Sequence, residues 1–121
     1  MKIACPVDEK TMETGVCISF GRTPYFLIYD TETKQADFVD NSAAASQGGA
    51  GIKAAQTIVD KKAEVLLTPR CGENAAEVIK AAKIRIFKTG VGSAIDNINA
   101  FLDGKLSELD EIHTGFHNHG G

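Results

Sequence analysis

Apolar positions along this chain follow two rhythms, short continuous runs and stripes at helical spacing. Residues 3–7 form a brief apolar run that stops at the polar stretch 8–14, which predicts a first strand. Residues 25–29, Tyr-Phe-Leu-Ile-Tyr, are aromatic and β-branched and stop at Asp30, predicting a second strand. Pro24 sits at its start, where a missing N–H is tolerated. After a polar turn at 31–35, residues 36–39 make a third strand that closes a hairpin with the second. Residues 40–51 are small, polar and glycine-rich and read as a loop. From there the period changes. Ile52, Ala55, Ile58 and Val59 share one face, with Lys53, Asp60 and Lys61 elsewhere, which predicts a helix over 52–62. Residues 64–68 form a continuous apolar strand of the kind covered on both faces. A turn at 69–72 leads to a helix over 73–82, with Ala76 and Ile79 inward. A strand at 84–87 and a glycine turn at 89–92 follow. Ser93 then caps a third helix that runs to about residue 103 and stops at Gly104.

The resulting order, β-β-β-α-β-α-β-α, predicts an α/β fold with a mixed five-stranded sheet and helices packed on it. The alternating second half implies parallel neighbours joined by right-handed crossovers. Residues 1–107 make one domain, and 108–121 read as a loose tail containing His113, His117 and His119. If the first, fourth and fifth strands run parallel and the second runs back, connections 6–23, 40–51, 68–73 and 88–93 share one end of the sheet. In open α/β sheets, that end is where ligands sit.

Composition narrows the functional classes. The 121 residues carry a formal net charge of -3, which is not basic enough to suggest an electrostatic grip on nucleic-acid phosphates. No apolar run approaches the ~20 residues that span a bilayer. The first residues read as a strand and not as a signal peptide, so a cytoplasmic location is expected. The three cysteines, Cys5, Cys17 and Cys71, are odd in number, widely spaced and without a CxxC pair. That argues against a disulfide framework and against a structural zinc site.

Each of the four connections brings chemistry to the shared end. The first carries Cys17, Gly21 and Arg22; the second carries Gly48, Gly49 and Gly51 ahead of a helix. The third carries Arg70, Cys71 and Gly72, and the fourth Gly90 and Gly92 ahead of another helix. Glycines let backbone N–H groups approach a ligand closely, and helix N-termini favour anions. The expectation is an anion-binding rim, suited either to a negatively charged metal–sulfur cluster or to a phosphate. Cys71 is the leading metal-ligand candidate, because Arg70 and a helix N-terminus beside it favour the thiolate. Cys17 is a second candidate. His117 and His119, on a tail long enough to return to this end, add imidazoles.

Four stretches, in this order and spacing, resemble the dinitrogenase iron–molybdenum cofactor biosynthesis family, which includes the NifX- and NafY-type carriers. They are Phe20-Gly21-Arg22-Thr23-Pro24-Tyr25-Phe26, residues 49–56 (Gly-Ala-Gly-Ile-Lys-Ala-Ala-Gln), Cys71-Gly72-Glu73-Asn74-Ala75, and residues 94–106. The resemblance implies an RNase H-like fold. It also implies transient carriage of an iron–sulfur, iron–molybdenum or related cluster without catalysis. A P-loop ATPase of cluster assembly is the implied partner, and the chain is expected to be a monomer or weak homodimer. Many relatives have a histidine where this chain has Ser19, and Cys17, two residues earlier, keeps the same face of an extended segment. The alternative reading is a binding module for an anionic metabolite or nucleotide. Nuclease chemistry of the RNase H kind needs clustered carboxylates, yet Thr68 and Phe87 end the parallel strands where these would sit.

Overall fold

Burial alternates residue by residue along the strands, and that alternation divides the core in two. In β1 (Lys2–Val7), Ala4 faces one side, and Ile3, Cys5 and Val7 face the other. In β2 (Tyr25–Asp30), Phe26 and Ile28 join Ala4, while Leu27 joins Ile3. This is the period-two geometry of a strand with both faces covered. The structure is a computed structural model that describes residues 1–45 and 48–109.

The sheet order is β3-β2-β1-β4-β5, with β3 at Ala36–Asp40, β4 at Val65–Thr68 and β5 at Arg85–Lys88. β1 pairs antiparallel with β2 and parallel with β4; β2–β3 is antiparallel and β4–β5 parallel. The expected mixed five-stranded sheet is therefore the observed one. α1 (Ala50–Asp60) and α2 (Glu73–Ala81) lie together on the Ala4 face, burying Ala54, Ala55, Ile58, Ala76 and Ile79. α3 (Ala94–Leu102) covers the opposite face through Ala94 and Ile98. β4, buried at all four positions between these layers, is the continuous apolar run of the sequence. None of the helices among the described residues is long and apolar enough to cross a membrane.

Element ends shift by a residue or two from the sequence reading, most at α1. α1 begins at Ala50, not Ile52, and a short 3-10 turn occupies Ser42–Ala45 within the expected loop. Periodicity registers a helix at its first large apolar side chain, whereas Ala50 and Gly51 enter the first turn with little side chain to mark it. The packed chain also extends past residue 107. The Lys88 N–H donates to the Ser107 carbonyl and the Leu109 N–H to the Ile86 carbonyl, each at 2.9 Å. Leu109 is buried, and Glu108 pairs with Arg85 at 3.0 Å. This added segment runs antiparallel to β5, away from the loop end of the sheet.

Candidate functional site

At the loop end, three of the four connections close around an open cleft of ≈ 650 Å³. One wall is the arm Ile18-Ser19-Phe20-Gly21, another is the start of α1, and the third is the turn Arg70-Cys71-Gly72 with the start of α2. The arm is anchored from below. Thr23, fully buried, donates its Oγ1 hydrogen to the Val7 carbonyl at 2.9 Å, and Phe20 packs its ring on Phe26 with centroids 5.2 Å apart. Gly21 meets α1 edge-on: a Cβ there would stand 3.1 Å from the Gly51 nitrogen and 3.2 Å from its Cα. Only glycine lets the arm lie this close to the helix start.

Arg70 and Glu73 bring one charge of each sign to the cleft lining, and the backbone supplies the rest of its electrostatics. α1 starts on Gly49, held in the left-handed region at φ 69, and α2 starts on Gly72. Neither residue has a side chain to accept from its helix's first N–H groups. The intrahelical ladder begins only with Lys53 N–H to the Gly49 carbonyl and Ala76 N–H to the Gly72 carbonyl. The N–H groups of Ala50, Gly51 and Ile52, and of Glu73, Asn74 and Ala75, precede it. Every one of those six residues lines the cleft. Two positive helix ends, each equivalent to roughly half an elementary charge, thus converge on one space.

Cys71 stands on this wall, but not as the activated thiolate the sequence suggests. It is 1% exposed, and burial pushes its thiol up to about 11, with Lys80 opposing weakly. Desolvation outweighs the Lys80 charge, so the thiol is neutral at ordinary pH. The turn that carries it is set by Thr68, fully buried, whose Oγ1 donates to the Arg70 carbonyl at 2.9 Å.

The fourth connection faces elsewhere, because α3 packs on the other side of the sheet. Its first N–H groups are already used: Ala94 donates to the Thr14 carbonyl at 2.9 Å and Ile95 to the Met12 carbonyl at 3.0 Å. Ser93 and Asp96 complete a reciprocal cap. Gly90 donates its N–H to Asn97 Oδ1 at 2.8 Å, and Gly92 sits at φ 125, which strains any side chain, with a Cβ there 3.1 Å from Asp96 Cβ. Neither glycine lines the cleft. Arg22 is exposed behind the arm and donates from Nη1 to the Ala44 carbonyl at 2.9 Å. Gly48 is exposed just ahead of the cleft residue Gly49. Cys17 is half-buried beside β1, its N–H donating to the Pro6 carbonyl at 2.9 Å, one residue short of the cleft wall. His117 and His119 lie outside the described residues. Of the positions singled out in the sequence, the fold brings together Gly21, Gly49, Gly51, Arg70, Cys71 and Gly72.

Sequence reasoning passed over Asn74, which faces the cleft from the first turn of α2, and Ile18 and Ile52, which leave apolar surface at its mouth. It also passed over Asn41, a buried amide behind the arm. Exposed isoleucines look like core residues in a sequence, and an asparagine in a glycine-rich loop looks solvated. Among the described residues, no three of His, Cys, Asp and Glu come together as a metal cage.

Comparison with known proteins gives a consistent result. Residues 1–104 match the family described as "Dinitrogenase iron-molybdenum cofactor". The apo form of the orange protein from Desulfovibrio gigas superposes with a TM-score of 0.86 at 31% identity, covering 90% of this chain and 92% of that one. A Thermotoga protein assigned as NifB superposes with a TM-score of 0.81 at 34% identity, covering 98% of both chains. An uncharacterized protein of Methanocaldococcus jannaschii is 28% identical over 113 residues, 91% of this chain and 92% of its own length.

Proposed function

The chain belongs to the dinitrogenase iron-molybdenum cofactor family, and from that premise we propose that it binds and carries a metal–sulfur cluster as a non-catalytic carrier in cofactor assembly. The cargo is an anionic iron–sulfur, iron–molybdenum or related cluster, held in the cleft between the Ser19–Gly21 arm and the starts of α1 and α2. One observation carries the reading: two helices begin on glycine at the same cleft, so their first N–H groups meet no side-chain oxygen of their own cap. Sulfide edges with negative charge are suitable acceptors for such donors. A cradle of this kind needs no cage of three protein ligands. Cys71 supplies one thiol at the wall, and ligation by it releases the proton that burial retains. On this reading the handover partner is a cluster-assembly ATPase of the P-loop type, and the setting is the cytoplasm.

Anaerobic reconstitution tests the proposal. Protein incubated with ferrous iron and sulfide, or with tetrathiomolybdate, is expected to become coloured and to retain metal through gel filtration. At 100-fold excess over Kd the bound cargo adds about 2.7 kcal/mol of stability, read as a rise in Tm. Cys71→Ser should lower uptake; full uptake by that variant removes Cys71 from the ligand set. If neither probe binds and nucleotides raise Tm instead, the cleft is a phosphate site.

A further inference from the structure

We infer that Asn41 is the positioning residue that sets the shape of this cleft, an assignment that rests on the cargo-binding reading above. Asn41 follows β3 and is 5% exposed. Its Nδ2 donates to two carbonyls of the arm, Gly21 at 3.0 Å and Thr23 at 2.9 Å, and its Oδ1 accepts from the Ala43 N–H at 3.3 Å. The partners themselves orient the amide: two carbonyls require the NH₂ side and an N–H requires the oxygen side. Its backbone is engaged as well, the Asn41 N–H donating to the Pro24 carbonyl at 3.0 Å.

These bonds tie the arm, one wall of the cleft, to the turn that precedes α1, which is not itself part of the wall. On one side is the arm, whose Gly21 rests against the backbone of Ala50 and Gly51. On the other is the turn Ser42–Ala45, which leads toward the α1 start. Asn41 touches no cleft surface itself. It acts through Gly21, holding the arm at the distance from α1 that fits the cargo between Gly21 and the α2 N-terminus. Among the short side chains, only a primary amide offers two N–H donors and one acceptor at this reach. Aspartate keeps the shape and the acceptor but turns a carboxylate oxygen onto two carbonyls, which should drive the arm off its seat.

The test uses the full chain and tetrathiomolybdate as probe, comparing wild type, Asn41→Asp, Gly21→Ala and the double variant. Folding is checked by circular dichroism. Asn41→Asp is expected to bind about tenfold more weakly, with a shifted absorption band of the bound probe, because the arm contacts it differently. Gly21→Ala displaces the same arm from the α1 side with Asn41 intact, and should reproduce both the loss and the spectral shift. In the double variant the two losses should fall well short of additive, as for residues acting through one segment. A folded Asn41→Asp variant with wild-type affinity and spectrum overturns the inference. If Asn41→Asp does not fold, Gly21→Ala decides alone: wild-type binding there shows that arm position does not govern the site. Failure of wild-type protein to bind either tetrathiomolybdate or the iron–sulfide probe instead rejects the cargo reading, and this inference falls with it.

Discussion

Ser93 and Asp96 cap each other: the Asp96 N–H donates to Ser93 Oγ and the Ser93 N–H donates to Asp96 Oδ2, each at 3.2 Å. The pair closes α3, while α1 and α2 begin on glycines that cap nothing with a side chain. The same end of the sheet therefore presents one finished helix start and two open ones. Ser93→Ala should lower the free energy of unfolding by about 1 kcal/mol and leave tetrathiomolybdate uptake unchanged. Urea denaturation and a binding titration check both halves. A loss of uptake would return Gly90 and Gly92 to the site.

Gly72→Asp should move stability and binding in opposite directions. Gly72 has φ -70 and ψ 161, which any residue adopts, and a Cβ there meets nothing within 4 Å. The new carboxylate would cap α2 and add roughly 0.5 kcal/mol. The same carboxylate would occupy the N–H groups proposed to hold the cargo and place negative charge in the cleft. A higher Tm with weakened uptake is expected. A variant that gains stability and binds normally would remove the α2 N-terminus from the cradle.

Alkaline pH should destabilise the protein through two buried thiols. Burial raises Cys5 from 9.0 to about 12, with nearby Cys17 adding in the same direction, and raises Cys71 to about 11. Below pH 9 both thiols are protonated folded and unfolded, so their contribution is fully present. As pH rises through 9 the unfolded thiols ionise first, and stability falls by up to about 1.4 kcal/mol per pH unit for each thiol. The loss levels off once pH passes the folded values. Chemical denaturation of wild type and Cys71→Ala between pH 7 and 11 isolates one of the two slopes. Parallel curves for the two proteins would show that the Cys71 thiol is not held protonated.

Thr68→Val keeps the shape of a fully buried side chain and deletes one donor. The Arg70 carbonyl then loses its 2.9 Å partner, and the Arg70-Cys71-Gly72 turn loses its tie to the end of β4. The expected cost is about 1–2 kcal/mol, with weaker uptake because Cys71 and the α2 start shift together. Equilibrium unfolding and the same titration measure the two effects. Unchanged uptake at the reduced stability would show that the turn is positioned by α2 alone.

Most of the fold is legible in the one-dimensional pattern. The apolar run of β4 and the aromatic run of β2 read as strands by their shortness and their β-branched or aromatic content, and the stripe through Ala55, Ile58 and Val59 reads as a helix by its period. The convergence of loops also follows from strand order, which placed Gly21, Gly49, Gly51, Arg70 and Gly72 at one end. Periodicity contains no information about which face of the sheet a helix after the last strand takes. α3 lies across the sheet from α1 and α2, and that choice removed Gly90 and Gly92 from the cleft. Nor does a motif report solvent. Arg70 and a helix start beside Cys71 suggested a thiolate, but burial is a property of the assembled core, and here it dominates. Asn41 was hidden for the same reason, its partners lying 18 and 20 residues away along the chain. By itself, then, the sequence determined the elements and their order along the chain, and it gave the glycines a shared end of the sheet only once the first, fourth and fifth strands were taken as parallel. Tertiary structure alone decided which glycines share a cleft, which thiol stays protonated and which buried amide holds the wall, because those depend on distances and desolvation that exist only once the layers pack.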